Sequence, residues 1–450
     1  MKAGAGGWLR LWVVAAGLGW SAQGGEVNLD GCIRAALAGN PDLAVVVARA
    51  EAGRAAVGEA RSAYAPQLTL GANWTRTDNP PQAFFLRLNQ KTASLQEDFN
   101  RPEDTENVRG SVGAQWRLYD GGRRSAGLRA AGYSSEAAGW MAEAARNDLV
   151  FQVTRAYYSV LQASALLEVQ REAVGSIEGS LRVAQERLKV GNAIRTDVMN
   201  LEVQLSQAKE DLIRAANGRK LAIAALNTVV GREIWDGETV APAAFPLPEL
   251  PPPAGCPGSI EGRPELASVR MQEKAAEAMV RRARRDYYPV VNLFGSADWD
   301  SEALDDFEQS YLVGASAELN LFDGSRTRSA LAGARAMWRS ACAMAEKVRN
   351  ELKLDLQQSL LRESESRERL GVSEKAVGSA VESLRITRER YQQGSADITE
   401  LMTAQVGDTA TRARWVAAHY DCRVAQADVA RACGSAGEEW KARPAEDGKR

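Results

Sequence analysis

WRLYDGGRRSAGL at 116–128 returns as LNLFDGSRTRSAL at 319–331, and ERLKVGN at 186–192 returns as ERYQQGS at 389–395. Both pairs are 203 positions apart, so Asp120 to Gly191 and Asp323 to Gly394 each span 71 positions. Upstream, NPDL (40–43) pairs with RPEL (263–266), and YAPQLTL (64–70) with YYPVVNL (287–293), now 223 positions apart. The offsets differ by 20, which places an insertion in the first copy between Pro66 and Asp120. The chain therefore carries two copies of one supersecondary layout about 200 residues long. Any function has to use both.

The DGG and DGS turns separate two kinds of periodicity. Before them the period is two. Leu68, Leu70, Ala72 and Trp74 alternate with Gln67, Thr69, Gly71 and Asn73, and Val112, Ala114, Trp116 and Leu118 with Ser111, Gly113, Gln115 and Arg117. In the second copy Val291, Leu293, Ala297 and Trp299 oppose Asn292, Ser296 and Asp298, while Tyr311, Val313, Ala315 and Ala317 oppose Ser310, Gly314 and Ser316. Four strands with one apolar and one polar face are expected. A sandwich needs another sheet on the apolar face, and little strand-forming sequence remains to supply it. In a membrane barrel that face meets lipid and the small polar residues line a wet lumen.

After the turns the period is helical for some 65 residues, on the order of 100 Å at 1.5 Å per residue. Val174, Ile177, Leu181, Ala184 and Leu188 step by three and four, as do Val198, Leu201, Leu205, Ala208 and Leu212. This is coiled-coil spacing. Gly191 and Gly394 fall where two antiparallel helices reverse, because glycine supplies a left-handed cap. Asp197 and Thr399 are the expected caps of the returning helices. Upstream, a helix over 29–64, interrupted at Asn40-Pro41, opens the first copy.

The expected organisation is a signal peptide at 1–22, a first repeat at 23–230, a Pro-rich linker at 231–258, a second repeat at 259–433 and a disordered tail at 434–450. Leu11 to Leu18 is apolar behind Lys2 and Arg10, and Ser21-Ala22-Gln23 offers small residues for cleavage. No later stretch has eighteen consecutive apolar residues, so a helical membrane protein is not expected. The net charge of −2 offers no basic surplus for nucleic acid. Five cysteines without a CxxC, one histidine (His419) and eight methionines suggest no metal site. No catalytic set and no phosphate-binding glycine loop is visible, so neither an enzyme nor a cofactor is expected. Leu29-Asp30-Gly31-Cys32 has a faint look of a lipoprotein box, but Asp30 suits it poorly and a helix-face cysteine is the preferred reading.

Four strands cannot close a barrel, and an open edge in lipid leaves backbone groups unpaired, so several chains must contribute. The order of elements resembles that of the TolC-like outer-membrane efflux family. The residues carrying the match are LDGCIRAALAGNPDL (29–43), the YAPQL and YYPVV entries, LYDGG and LFDGS, and the tips KVGNAIRTDVMNLEVQL (189–205) and QQGSADITELMTAQ (392–405). The match spans roughly 29 to 433. The resemblance implies an α+β membrane protein forming a homotrimer. Four strands per chain would make a 12-stranded β-barrel in outer-membrane lipid, continued into the periplasm by an α-helical barrel of coiled-coil hairpins. It also implies a passive duct for small toxic compounds, fed by an inner-membrane pump through a periplasmic adaptor protein. A type I protein secretion conduit uses the same duct. A soluble periplasmic coiled-coil scaffold is the alternative of a different class.

For individual residues, the resemblance implies an acidic pore constriction at the second tip, at Glu400, with Asp197 as its counterpart six residues after Gly191. Where similar channels have a further acid, this chain has Thr403, so a single acidic ring is expected. Gly191 and Gly394 are the expected adaptor-docking tips. Trp74, Trp116 and Trp299 are expected at the membrane interface. Phe84 and Phe85, in the inserted loop, either fold over the external mouth or mark a receptor surface.

Overall fold

The computed structural model describes residues 28–94, 100–232 and 260–434. The expected signal peptide at 1–22 lies outside the described residues, as do most of the expected linker and tail. The first repeat runs α1 (Leu29–Gly39), α2 (Pro41–Ser62), β1 (Gln67–Thr77), α3 (Pro80–Asn89), β2 (Thr105–Tyr119), α4 (Arg123–Lys189) and α5 (Arg195–Val230). The second runs α6 (Pro264–Arg284), β3 (Val290–Ser301), β4 (Glu308–Glu318), α7 (Arg326–Gln393) and α8 (Ile398–Ala432). The same order of helix, two strands and helical hairpin occurs twice, with α3 filling the insertion.

The strands form one antiparallel sheet in the order β1-β2-β3-β4. β2 and β3 join the repeats, with Val112 opposite Ala297 and Trp116 opposite Leu293. The pairing puts Leu70, Val112, Ala297 and Tyr311 on one face. No described residue covers that face: Leu70 is 86% exposed, Tyr311 81% and Val313 71%. The sandwich alternative fails on this exposure. β1 and β4 remain open edges within the protomer, and in lipid such edges have to be closed by another chain.

The Asp-Gly turns redirect each strand into its long helix. Gly121 and Gly122 have φ of 64° and 87°, and Gly324 and Ser325 have 64° and 71°. A Cβ on Gly121 would lie 2.3 Å from Cβ of Tyr288, so this glycine is also needed for close approach. Asp120 accepts the Arg124 backbone N–H at 3.0 Å, and Asp323 accepts that of Thr327 at 3.0 Å. Each aspartate satisfies a first-turn donor that the helix itself leaves unpaired.

At the helical midsection the repeats are closed by equivalent residues. Asn40 caps α2 by accepting from the Leu43 N–H at 2.9 Å and donates to the Val229 carbonyl at 2.8 Å. Arg263, its counterpart, donates to the Ala432 carbonyl at 3.3 Å and ion-pairs with Asp355 (2.7 Å) and Glu265 (2.6 Å). Arg431 bridges Asp355 and Asp428, both at 2.8 Å. The apolar core here joins Cys32, Ile33, Leu149, Val153 and Leu226. Cys32 is thus buried on a helix face. Cys422 and Cys433 are not paired with each other: Cys422 is a free thiol in α8, and Cys433 is disulfide-bonded.

His419 is 5% exposed in α8, edge-on to Tyr420, and its Nε2 has no hydrogen-bond partner among the described residues. Burial, aided by Arg423, pushes its pKa down to about 4. Below the unfolded value of 6.5 the unfolded chain takes up a proton that the native imidazole refuses. The stability contribution is therefore complete above pH 6.5 and is lost as pH falls towards 4, by about 3 kcal/mol in all. Thermal melting of the detergent-solubilised protein between pH 7 and 4 is expected to show this loss. His419→Gln should flatten most of that slope, and an unchanged slope would place the sensitivity elsewhere.

Candidate functional site

The two hairpin tips converge at the end of the molecule remote from the sheet. The stripe Val174, Ile177 and Leu181 of α4 packs against Leu201, Leu205 and Ala208 of α5. Nearer the tips, Ala184, Val198 and Leu201 of the first hairpin share one cluster with Leu384, Tyr391, Ile398 and Leu401 of the second.

Each tip closes by a Schellman motif. Gly191 (φ 79°) donates to the Leu188 carbonyl and Asn192 to that of Arg187; Gly394 (φ 82°) donates to Tyr391 and Ser395 to Arg390. The arginine at the same place in each copy of the repeated ER motif reaches round the turn. Arg187 Nη2 donates to the Asn192 carbonyl at 3.2 Å, and Arg390 Nη2 to that of Ser395 at 3.0 Å. Sequence reasoning missed this role, although the quoted repeat contained both arginines. Arg187 also donates to the Tyr391 carbonyl, with its guanidinium 4.9 Å from the centre of that ring. One side chain thereby ties the first tip to the second.

The expected helix caps are corrected. The residue before α5 is Ile194, which has no side-chain bond to the helix, and the cap of α8 is Asp397, accepting from the Glu400 N–H at 2.7 Å. The turn needs only three residues after each glycine, so the cap falls earlier than Asp197 and Thr399. Both lie inside the first turn, where Asp197 favours the helix dipole.

Glu400 is exposed and pairs with Arg390 at 3.2 Å. Thr403, one turn on, lies with it along a groove between α7 and α8 that Asp397, Ser383 and Thr387 also line. Asp197 is half-buried on α5. Beside this apolar cluster the hairpins also make polar contacts: Gln405 Nε2 donates to Ser180 Oγ at 2.8 Å, Arg388 Nη2 to Ser176 Oγ at 2.6 Å, and Arg412 pairs with Glu172 at 2.9 Å.

At the opposite end, α3 lies across the polar face of the sheet. Asn79 caps it, accepting from the Gln82 N–H at 3.4 Å, and Pro80-Pro81 occupy its first turn. Gln90 Nε2 donates to Asn107 Oδ1 at 2.9 Å, Asn107 Nδ2 to Asp300 Oδ1 at 2.7 Å, and Arg109 pairs with Asp300 at 2.8 Å. Lys91, just beyond the helix, pairs with Glu308 of β4. The insertion thus folds over the external end of the lumen side. Phe84 and Phe85 meet edge to face at 5.8 Å, and Phe85 is exposed.

Trp74, Trp116 and Trp299 share the apolar face. Trp74 opposes Val108 and Trp299 opposes Gly110, near the loop end, while Trp116 sits near the helices and donates to the Tyr64 carbonyl at 2.8 Å. From Val108 to Trp116 is about 27 Å along β2 at ~3.4 Å per residue. A tilt of ~40° brings the height to about 21 Å, comparable with the apolar band of such barrels.

The family model described as "Outer membrane efflux protein" matches residues 32–232 and 258–435. Outer membrane protein TolC of Escherichia coli strain K12 is 22% identical over 94% of this chain and 85% of its own length. Alkaline protease secretion protein AprF of Pseudomonas aeruginosa is 25% identical over 84% of this chain and 78% of its own. Among solved structures, the outer-membrane channel OprN superposes with a TM-score of 0.79 at 19% identity, covering 90% of each chain.

Proposed function

The chain belongs to the outer membrane efflux protein family, and we propose that three copies form one continuous duct through the outer membrane and periplasm. Its barrel sits in the outer membrane and its helices extend into the periplasm. The observation that carries this reading is the sheet. Four strands expose an apolar face that no described residue covers and two open edges, and they continue into α4 and α7, each about 100 Å long. Three such sheets give twelve strands, and at ~4.8 Å between strands and ~40° of tilt the barrel is about 24 Å across. A helix is ~10 Å thick, so three α3 helices would occupy much of the external mouth.

The duct moves small toxic compounds delivered by an inner-membrane pump through a periplasmic adaptor that docks at Gly191 and Gly394. A type I secretion conduit is the second reading, favoured by the likeness to AprF, whose name assigns it to protease secretion. Planar-bilayer recording of the purified protein tests the duct: discrete channels from a trimer are expected. A soluble monomer without conductance would overturn the reading and favour a scaffold.

A further inference from the structure

Charge is segregated along the strands. Where the chain passes between helix and strand, residues 54–61, 117–129, 281–286 and 318–328 hold twelve arginines and five carboxylates. At the loop end the balance reverses, with ten carboxylates to five bases among the described residues of 76–109 and 298–308. A chain of net charge −2 thus places a basic collar just below its apolar band.

Several collar acids are already matched: Asp120 by Arg124 and Asp286 by Arg123, both at 3.1 Å, and Asp323 by Arg326 at 3.9 Å. Arg61, Arg284 and Arg328 are exposed with no carboxylate partner among the described residues, and Arg282 reaches only the Met279 sulfur at 4.0 Å. Helical steps of 100° spread arginines 281, 282 and 284 over about 160° of α6. The collar is continuous with an aromatic belt on the apolar side. Trp116 bonds the Tyr64 carbonyl, Arg124 lies 4.7 Å from the Tyr64 ring centre and Arg285 5.1 Å from that of Tyr288.

We propose that this collar binds the phosphate headgroups of anionic phospholipids in the leaflet facing the helical end of the barrel. The proposal rests on the membrane-duct reading. The basic charges of the collar are all guanidinium groups, which present paired donors to phosphate and stay charged at any physiological pH. A lipid whose tails lie on the apolar face brings its phosphate to their height, and anionic surfaces attract bases within a Debye length.

The test is native mass spectrometry of the trimer in neutral detergent, titrated with dioleoylphosphatidylglycerol or dioleoylphosphatidylcholine. At least a tenfold preference for the glycerol lipid is expected, unaffected by equimolar inorganic phosphate. Combined Arg282→Gln, Arg284→Gln and Arg328→Gln should reduce it below threefold with the trimer melting temperature unchanged, and the three corresponding lysine substitutions should retain most of it. Equal binding of both lipids by the native trimer, or an undiminished preference in the glutamine variant, would overturn the collar. Failure to isolate a trimer would instead strike at the duct itself.

Discussion

Gly394→Trp abolishes export while leaving trimer abundance in the outer membrane at the native level. The glycine holds φ at 82°, and a Cβ there would stand 3.3 Å from Nη2 of Arg187. A non-glycine residue in the left-handed region costs about 1–2 kcal/mol, a modest part of the ~5–15 kcal/mol that holds a domain together. The chain already carries Ser325 and Lys91 at positive φ. Assembly should therefore survive. The indole instead occupies the tip where an adaptor hairpin would seat, and it displaces the arginine that ties the tips together. Drug susceptibility equal to that of a deletion strain is expected, at least a tenfold fall in the inhibitory concentration, with immunoblots showing undiminished protein. Gly191→Trp shares the backbone strain, but its Cβ meets nothing within 4 Å, so it separates the docking effect from the loss of the Arg187 tie. Resistance unimpaired in Gly394→Trp would remove the docking role.

Glu400→Ala is expected to turn the cation-preferring entrance that the proposed acidic ring would make into an anion-preferring one. Three carboxylates around a symmetric constriction favour cations. Each Glu400 carboxylate lies 3.2 Å from Arg390, and both side chains are about half exposed. Removing the carboxylate does more than neutralise the ring, because three guanidinium groups are left unopposed. Thr403 offers no compensating acid. Reversal potentials in asymmetric salt should give a cation-to-anion permeability ratio that falls several-fold and drops below one. Arg390→Ala should move the ratio the opposite way. An exposed pair of this kind contributes about 0–1 kcal/mol to stability, so trimer melting should not change. A ratio unmoved by Glu400→Ala would show that the constriction lies elsewhere.

Much of the architecture was legible because it rests on periodicity. Leu68, Leu70 and Trp74 mark a period of two, and Val174, Ile177 and Leu181 one of 3.5. Those intervals decide which side chains share a face before any tertiary contact forms. The reversal glycines were legible for a similar reason, since the left-handed conformation is a local demand. α3 was not. Among its residues only Ala83 is buried, and its hold on the sheet comes from polar bonds made by Gln90, Arg87 and Lys91. The Asn79-Pro80 start repeats the Asn40-Pro41 signal and was the available clue. The caps at Asp197 and Thr399 were misplaced because the length of the turn, not residue type, decides where a helix resumes.

The sequence by itself determined that one helix–strand–strand–hairpin unit occurs twice, that its strands have one greasy side, and that its hairpins reverse at Gly191 and Gly394. These are short-range properties, written in spacing and backbone freedom. Only the tertiary structure decided that α3 folds inward over the polar face, that Asn40 and Arg263 close equivalent helix ends, that Arg187 joins the tips and that Arg390 sits against Glu400. Each joins residues brought together by the packing of separate elements, and the register of that packing depends on the whole protomer.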